Sequence, residues 1–491
     1  MQPLINNATK NADRSAIISN DTSYTYSILL EHSKAIAHYL LNGKTDLEEA
    51  RVAFLITPSF EYTAVLWGIW RAGGIAVPLC EKHPLPSITY VIEDTQAEIL
   101  IYEKSFEGLL HPLASKVSRF LSLDALPKTG GELFFTPAPS RRALILYTSG
   151  TTGNPKGVVT THQNIEEQIT SLTTSWEWSK EDHILNILPM HHVHGIINIL
   201  MCALWSGACC TFLPKFSPEA VFSEFKKGRL TLFMAVPTIY FKLIAHWKLL
   251  SEIEKNEVSE ALTKFRLMVS GSAALPISVL ADWKTLSGHI LLERYGMTEM
   301  GMAISNPYRG ERKPGFIGLP LQGVRVQLAD ENNKPVVAGS QGEIQIKGPN
   351  VFLEYWGKAQ ATEEAFTTEG WFKTGDIAIL EQGYYRILGR NSIDIIKSGG
   401  YKISALEIEE VLRQHPEIEE CAVVGIPDDE WGELIAASII TQEPNFDLEK
   451  LTVWLKTKLP NYKIPRKYRL DHELPRNVMG KVTKNELKSK F

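Results

Sequence analysis

Tyr147-Thr-Ser-Gly-Thr-Thr-Gly-Asn-Pro-Lys-Gly-Val158 follows directly on the apolar run 143–146. A buried strand that empties into a loop of glycines, hydroxyls and one lysine is built to hold a polyphosphate. Glycines let the backbone approach an anion closely and take up positive φ. Exposed N–H groups and the hydroxyls of Thr148, Ser149, Thr151 and Thr152 supply donors, and Lys156 supplies a point charge. It is not a Walker A loop, which needs four residues between its first glycine and a Gly-Lys pair. Gly150-Thr-Thr-Gly153-Asn-Pro-Lys156 lacks that spacing. In isolation such a string is also what a polar surface loop looks like, so its neighbours decide.

Strand-like and helix-like patterns alternate around it. Runs 51–56, 75–79, 97–102 and 143–147 read as buried strands, and 64–70 and 164–174 as helices. Runs 230–236, 265–270 and 290–295 read as three more strands. This alternation predicts an α/β fold: a large N-terminal domain of stacked, mostly parallel sheets covered by helices. From about Phe316 the texture changes, and 324–328 and 342–347 predict a small antiparallel sheet or β-barrel-like subdomain. After Leu388-Gly389-Arg390 the chain reads as a small α+β unit, with helices at 405–415 and 448–459 and a strand at 422–426. The expected domains are residues 1–389 and 390–491, the second large enough to fold and move as a body.

Bulk properties narrow the partners. The chain has 491 residues, of which 44% are hydrophobic and 22% charged, with a formal net charge of −5. That balance does not suggest nucleic-acid or membrane-surface binding, and it leaves the oligomeric state, monomer or homodimer, open. The five cysteines are odd in number and form no CxxC pair, which predicts a reducing, cytoplasmic location. The start Met1-Gln-Pro-Leu-Ile lacks the pattern of a signal or transit peptide. The run 184–188 is too short to span a bilayer.

Four further segments carry polar chemistry. Glu293-Arg-Tyr-Gly-Met-Thr-Glu299 follows an apolar strand. A Tyr-Gly turn at a strand's carboxyl end is where open α/β sheets bind ligands, and Glu299 could hold Mg²⁺. Trp371-Phe-Lys-Thr-Gly-Asp376 predicts a tight turn at Gly375 that presents a carboxylate to vicinal hydroxyls. Gly389-Arg390-Asn-Ser-Ile-Asp394 sits at the domain junction, and Ser398-Gly399-Gly400-Tyr401 predicts a narrow loop. Pro475-Arg-Asn-Val-Met-Gly-Lys481 places a lysine near the C-terminus.

Five motifs in this order resemble the adenylate-forming superfamily of acyl-CoA synthetases, peptide-synthetase adenylation domains and luciferases. The resemblance spans the chain to Lys481. It implies a ligase that uses ATP, Mg²⁺ and coenzyme A to convert a small carboxylic acid to its thioester through an acyl-adenylate. It implies an ATP site of Thr148, Ser149, Gly150, Thr151, Thr152, Gly153, Lys156, Tyr295, Gly296, Met297, Thr298, Asp376 and Arg390. Glu299 and Thr151 would hold Mg²⁺, with Lys156, Thr151, Glu299 and Lys481 as catalytic groups. Ser398, Gly399 and Gly400 would border the coenzyme A passage. The small domain would turn between half-reactions, withdrawing Lys481.

The acid pocket is implied at Pro189-Met-His-His-Val-His194-Gly195, with Ser272 and Arg294. His191, His192 and His194 lack the spacing of a helical metal pair, so His194 is read as positioning a carboxylate. Arg294 precedes Tyr295 and points to a second substrate carboxylate gripped in bidentate fashion. An internal salt bridge to Glu293 or Glu311 is the competing reading. Glu293-Arg-Tyr-Gly-Met-Thr-Glu-Met-Gly-Met302, Ser305-Asn-Pro-Tyr-Arg-Gly-Glu-Arg-Lys-Pro314 and Ser392-Ile-Asp-Ile-Ile-Lys-Ser-Gly-Gly-Tyr-Lys-Ile-Ser-Ala-Leu-Glu407 are similar to malonyl-CoA synthetases. That resemblance implies malonate, with methylmalonate as a second acid. A medium-chain or aryl acid ligase and a stand-alone enzyme loading a carrier protein are the alternatives. Two departures stand out: Met300 follows Glu299, and Ser392 occupies the usual pivot position after Arg390.

Overall fold

The computed structural model describes residues 1–133, 135–148, 155–391, 393–399, 401–444, 446–476 and 481–491, leaving aside the side chain of Lys402. Ser149, Gly150, Thr151, Thr152, Gly153, Ser392, Gly400 and Gly480 therefore lie outside the described residues.

Two large sheets share a parallel interior. In one, strands Arg142–Thr148, Ile75–Pro78, Arg51–Leu55, Ile99–Tyr102 and Arg119–Ser122 lie side by side and parallel. In the other, Leu292–Met297, Leu267–Ser270, Leu232–Ala235, His183–Asn186, Cys209–Phe212 and Ser15–Ser19 do the same. The inner strands, such as Arg51–Leu55, Ile75–Pro78, Leu232–Ala235 and Leu267–Ser270, are buried along nearly their whole length, as parallel strands covered on both faces must be, while the edge strand Arg119–Ser122 is only half-buried. Helix Phe60–Arg71 starts on a Ser59 side-chain cap and is buried all round, with Trp67 and Trp70 almost fully enclosed. Its Gly68 lets it close on helix Tyr26–Leu41, since a Cβ there would meet Ile36 Cγ2 at 2.5 Å.

The region expected as a sheet or barrel is an antiparallel sheet of Arg325–Ala329, Gly342–Lys347, Phe372–Glu381 and Tyr384–Arg390. A fourth sheet, with strands between Ile395 and Leu470, packs helices Ala405–Leu412 and Leu448–Lys456 over a core of its own. The chain passes from the third sheet to the fourth just after Arg390, whose backbone N–H donates to Asp394 Oδ2 at 3.1 Å. Asp394 Oδ1 also meets Lys484 Nζ at 2.6 Å, tying the junction to the C-terminal helix. Among the described residues no helix is long and apolar enough to cross a membrane.

Two local expectations are corrected, and one strand is added to those read from the sequence. Strand Lys156–Thr161 returns antiparallel to Arg142–Thr148, ahead of helix His162–Ser175, which matches the expected helix at 164–174. Tyr295-Gly296 is no turn, because strand Leu292–Met297 runs through it and folds back into Gly301–Ser305. Gly296 is needed there since a Cβ would meet the Gly301 carbonyl oxygen at 2.1 Å. Gly375 is likewise inside strand Phe372–Glu381, at φ 75°, where it marks an irregularity in the ladder rather than a turn.

Candidate active site

The hairpin and the strand turn converge. Lys156 opens the return strand opposite Thr148. Glu299 sits in the turn after Met297 and Thr298, and is only 6% exposed. Strand Glu354–Tyr355 joins the two: Tyr355 lies opposite Val158 in the ladder, and the Phe352 N–H donates to the Glu299 carbonyl at 2.6 Å. The Tyr355 hydroxyl donates to Glu299 Oε1 at 3.0 Å, and Lys156 Nζ stands 4.9 Å from the centre of the Tyr355 ring. Burial raises the Glu299 pKa, opposed by its backbone hydrogen bond and the Tyr355 phenol.

Among the described residues no group of three His, Cys, Asp or Glu side chains converges as a metal cage. A single carboxylate beside a phosphate loop fits Mg²⁺, which takes one or two protein carboxylates and completes its shell with water and nucleotide phosphates.

The second cluster joins strand ends of two sheets. The Tyr295 hydroxyl donates to Asp376 Oδ2 at 2.5 Å, and Arg390 Nε donates to Asp376 Oδ1 at 2.9 Å. Asp376 and Arg390 are also opposite each other in the ladder. Burial pushes the Tyr295 phenol up, and the Asp376 charge adds to it, so it remains a donor. Half-buried Gly296, Met297 and Thr298 lead from this cluster to Glu299.

The third cluster gathers the residues read from the sequence as an acid pocket. Arg294 is 4% exposed, and neither Glu293 nor Glu311 pairs with it. Glu293 faces Gly315, whose N–H it accepts at 2.8 Å, and Glu311 approaches Lys313. The salt-bridge reading is therefore overturned: alternate residues of a strand face opposite sides, which separates Glu293 from Arg294. Arg294 Nη2 donates to Ser272 Oγ at 3.3 Å, while Nε and Nη1 have no hydrogen-bond partner among the described residues. Ser272 Oγ also lies 3.3 Å from His194 Nδ1, and the other His194 nitrogen has no partner among the described residues. Burial and then the Arg294 charge hold the His194 imidazole well below its usual pKa, hence neutral. His194 opens a π-helical segment, His194–Met201, a local distortion that often marks functional positions. Burial pushes the Arg294 pKa down to about 9.

Lys481 belongs to this neighbourhood. Its pKa is lowered by desolvation of its ammonium and then by the charges of Arg390 and Arg294, with Asp376 opposing. His192, pushed down to about 4 by burial, also feels the Lys481 charge. Ser398 and Gly399 lie at the tip of the hairpin between Ile395–Ser398 and Tyr401–Ser404, against the Trp431 ring. Sequence reasoning did not find Tyr355 or Gly271. A Cβ on Gly271 would meet Arg294 Cζ at 2.6 Å, so the loop lies directly on the guanidinium.

Lys156, Glu299, the Tyr295–Asp376–Arg390 cluster and buried Arg294 are thus the described members of the site read from the sequence. The chain belongs to the AMP-binding enzyme family, which matches residues 4–356, with the family's C-terminal domain matching 407–481. The mitochondrial malonate–CoA ligase of Xenopus laevis is 40% identical, with 99% of this chain and 91% of that protein covered. ATP-bound MatB from Rhodopseudomonas palustris matches with a TM-score of 0.90 at 31% identity, covering 99% of this chain and 98% of that one. A malonyl-CoA ligase ternary product complex with methylmalonyl-CoA and AMP bound matches with a TM-score of 0.71 at 34% identity, covering 97% and 100%.

Proposed function

We propose that this protein is an AMP-forming acid–CoA ligase that converts malonate, and its methyl homologue, to the CoA thioester. The observation that carries the choice of acid is Arg294, buried with Nε and Nη1 unpartnered among the described residues. A buried, unpaired guanidinium is costly, and a second carboxylate on the substrate is the partner that offsets the cost. An acid with an apolar tail supplies none. The malonate–CoA ligase and malonyl-CoA ligase relatives named above agree with this choice.

In the first half-reaction a malonate carboxylate oxygen attacks the α-phosphorus of ATP. The bond to the bridging oxygen breaks, and pyrophosphate leaves. Arg294 and Ser272 hold the distal carboxylate, neutral His194 lines the pocket, and Lys481 stabilises charge between the attacking carboxylate and the α-phosphate. Asp376 and Arg390 bind the ribose. Glu299, and Thr151 outside the described residues, would hold Mg²⁺, which would supply positive charge beside the leaving group. In the second half-reaction the CoA sulfur attacks the acyl carbonyl, the bond to the AMP phosphate breaks, and the thiol proton passes to solvent.

Residues 390–491 would turn between the steps, taking Lys481 out and bringing Ser398, Gly399 and Gly400 to the acyl group. The neighbourhood of Lys481 and the high similarity to an ATP-bound structure, against the lower similarity to a product complex, support this reading. Five unpaired cysteines support a reducing compartment, here taken as the cytoplasm.

The test is CoA-dependent AMP release by purified protein with ATP and Mg²⁺ across malonate, methylmalonate, succinate, acetate, octanoate and benzoate. Malonate should lead the series. Turnover of octanoate or benzoate with none of malonate rejects the choice of acid.

A further inference from the structure

Tyr355 touches both groups that would meet the triphosphate. Its hydroxyl donates to Glu299 Oε1 at 3.0 Å, and its ring centre lies 4.9 Å from Lys156 Nζ. Such a pairing needs a rigid mount, and the chain supplies one. The Trp356 N–H donates to the Gly157 carbonyl at 2.8 Å, adjacent to Lys156. Trp356 Nε1 donates to the Asp94 carbonyl at 3.1 Å, and Lys358 Nζ pairs with Asp94 Oδ1 at 3.1 Å. The same Asp94 accepts from the Tyr147 hydroxyl at 2.6 Å, so the chain just after Tyr355 and strand Arg142–Thr148 share one anchor.

The two contacts suit their recipients. A hydroxyl on Oε1 fixes the Glu299 carboxylate and leaves Oε2 for a cation. A ring face attracts an ammonium without neutralising it, whereas a carboxylate partner would compete with phosphate for its charge. We propose that Tyr355 is a positioning residue for the nucleotide: its hydroxyl orients Glu299 toward the bound cation and its ring holds Lys156 poised for the phosphates. The assignment of the cation and phosphates rests on the ligase reading, but the two contacts do not.

Two variants separate the contacts. Tyr355→Phe keeps the ring and loses the hydroxyl, and Tyr355→Leu loses both. Calorimetry of ATP binding in Mg²⁺ and in EDTA, without acid or CoA, reads the first contact. Tyr355→Phe should lose roughly tenfold of the Mg²⁺-dependent gain in affinity, the scale of a hydrogen bond to a charged group. Its affinity in EDTA should match wild type.

The acetylation rate of Lys156 by an N-hydroxysuccinimide ester, followed by mass spectrometry without nucleotide, reads the second contact. It should stay at the wild-type rate in Tyr355→Phe and rise about threefold in Tyr355→Leu, the scale of an exposed cation–π contact. Wild-type Mg²⁺ dependence in Tyr355→Phe overturns the hydroxyl's role even if Tyr355→Leu fails to fold. Equal labelling of Lys156 in wild type and a folded Tyr355→Leu overturns the ring's role. Absence of any ATP binding by wild type would instead count against the ligase reading, and the labelling would still decide the ring contact.

Discussion

Arg294 reaches Ser272 through a single 3.3 Å contact from Nη2 to Oγ, with Ser272 held at φ 69°. A non-glycine residue in the left-handed region is held there by its surroundings, and such strain gathers at ligand sites. A guanidinium with one weak neutral partner is a poor structural element. Arg294→Met should therefore leave the unliganded protein as stable as wild type or stabilise it by about 1–2 kcal/mol, as when buried charges are replaced by apolar groups of similar volume. Thermal melts with and without malonate check this: malonate should raise the melting temperature of wild type and not of the variant. A structural arginine would give a less stable variant.

The contact between Gly271 and the guanidinium gives an independent handle. In Gly271→Ala the new Cβ occupies space now taken by Arg294 Cζ and Nε, both 2.6 Å away. The side chain must move, although no charge is lost. Malonate KM should rise roughly tenfold or more, the cost of about 1.4 kcal/mol of misplaced contact, while KM for ATP changes little. Steady-state kinetics on both substrates would show it.

Lys481 feels the charges of Arg390, Arg294 and Asp376. Lys481→Ala should reduce adenylate formation by 10² or more, on the scale of losing one charge-stabilising donor. Thioester formation from supplied malonyl-adenylate and CoA should persist. Equal loss of both half-reactions would mean that the domain does not alternate.

Glu293 lies on the opposite face of the same strand and should set a pH dependence of stability. Burial raises its carboxyl from 4.5 to about 8, with Gly315 opposing and Glu410 adding. The folded state thus holds a proton that the unfolded chain has lost between pH 4.5 and about 8. The stability conferred by protonated Glu293 is complete below the unfolded value and is lost as pH rises through about 8. Glu293→Gln should flatten the fall in melting temperature between pH 6 and pH 8.5 relative to wild type. An unchanged slope would place the pH dependence elsewhere.

What the sequence disclosed follows from the range of each signal. Buried parallel strands such as Arg51–Leu55 and Leu267–Ser270 are legible because burial on both faces writes a continuous apolar run. Lys156–Thr161 escaped because Lys-Gly-Val-Val-Thr-Thr has a glycine and three polar residues, and only its pairing makes it a strand. Tyr295-Gly296 and Gly375 were read as turns because glycine signals a departure from regular backbone. It cannot tell a turn from a bulge or a close strand crossing. Arg294 was found by its chemistry, but its freedom from Glu293 depends on strand faces that the structure displays. Tyr355 carried no local signal, since Leu-Glu-Tyr-Trp reads as any apolar strand end and its two partners lie 56 and 199 residues away.

The central claim is that Arg294 selects a dicarboxylate. The most direct test is kcat/KM for malonate relative to butyrate, which keeps one carboxylate and lacks the second, in wild type and in Arg294→Met. Wild type should prefer malonate by at least about 10³, and the preference should collapse toward parity in the variant through loss of malonate activity, the scale of breaking a buried charge pair. A wild-type enzyme that uses butyrate as well as malonate, or a variant that keeps the malonate preference, would contradict it.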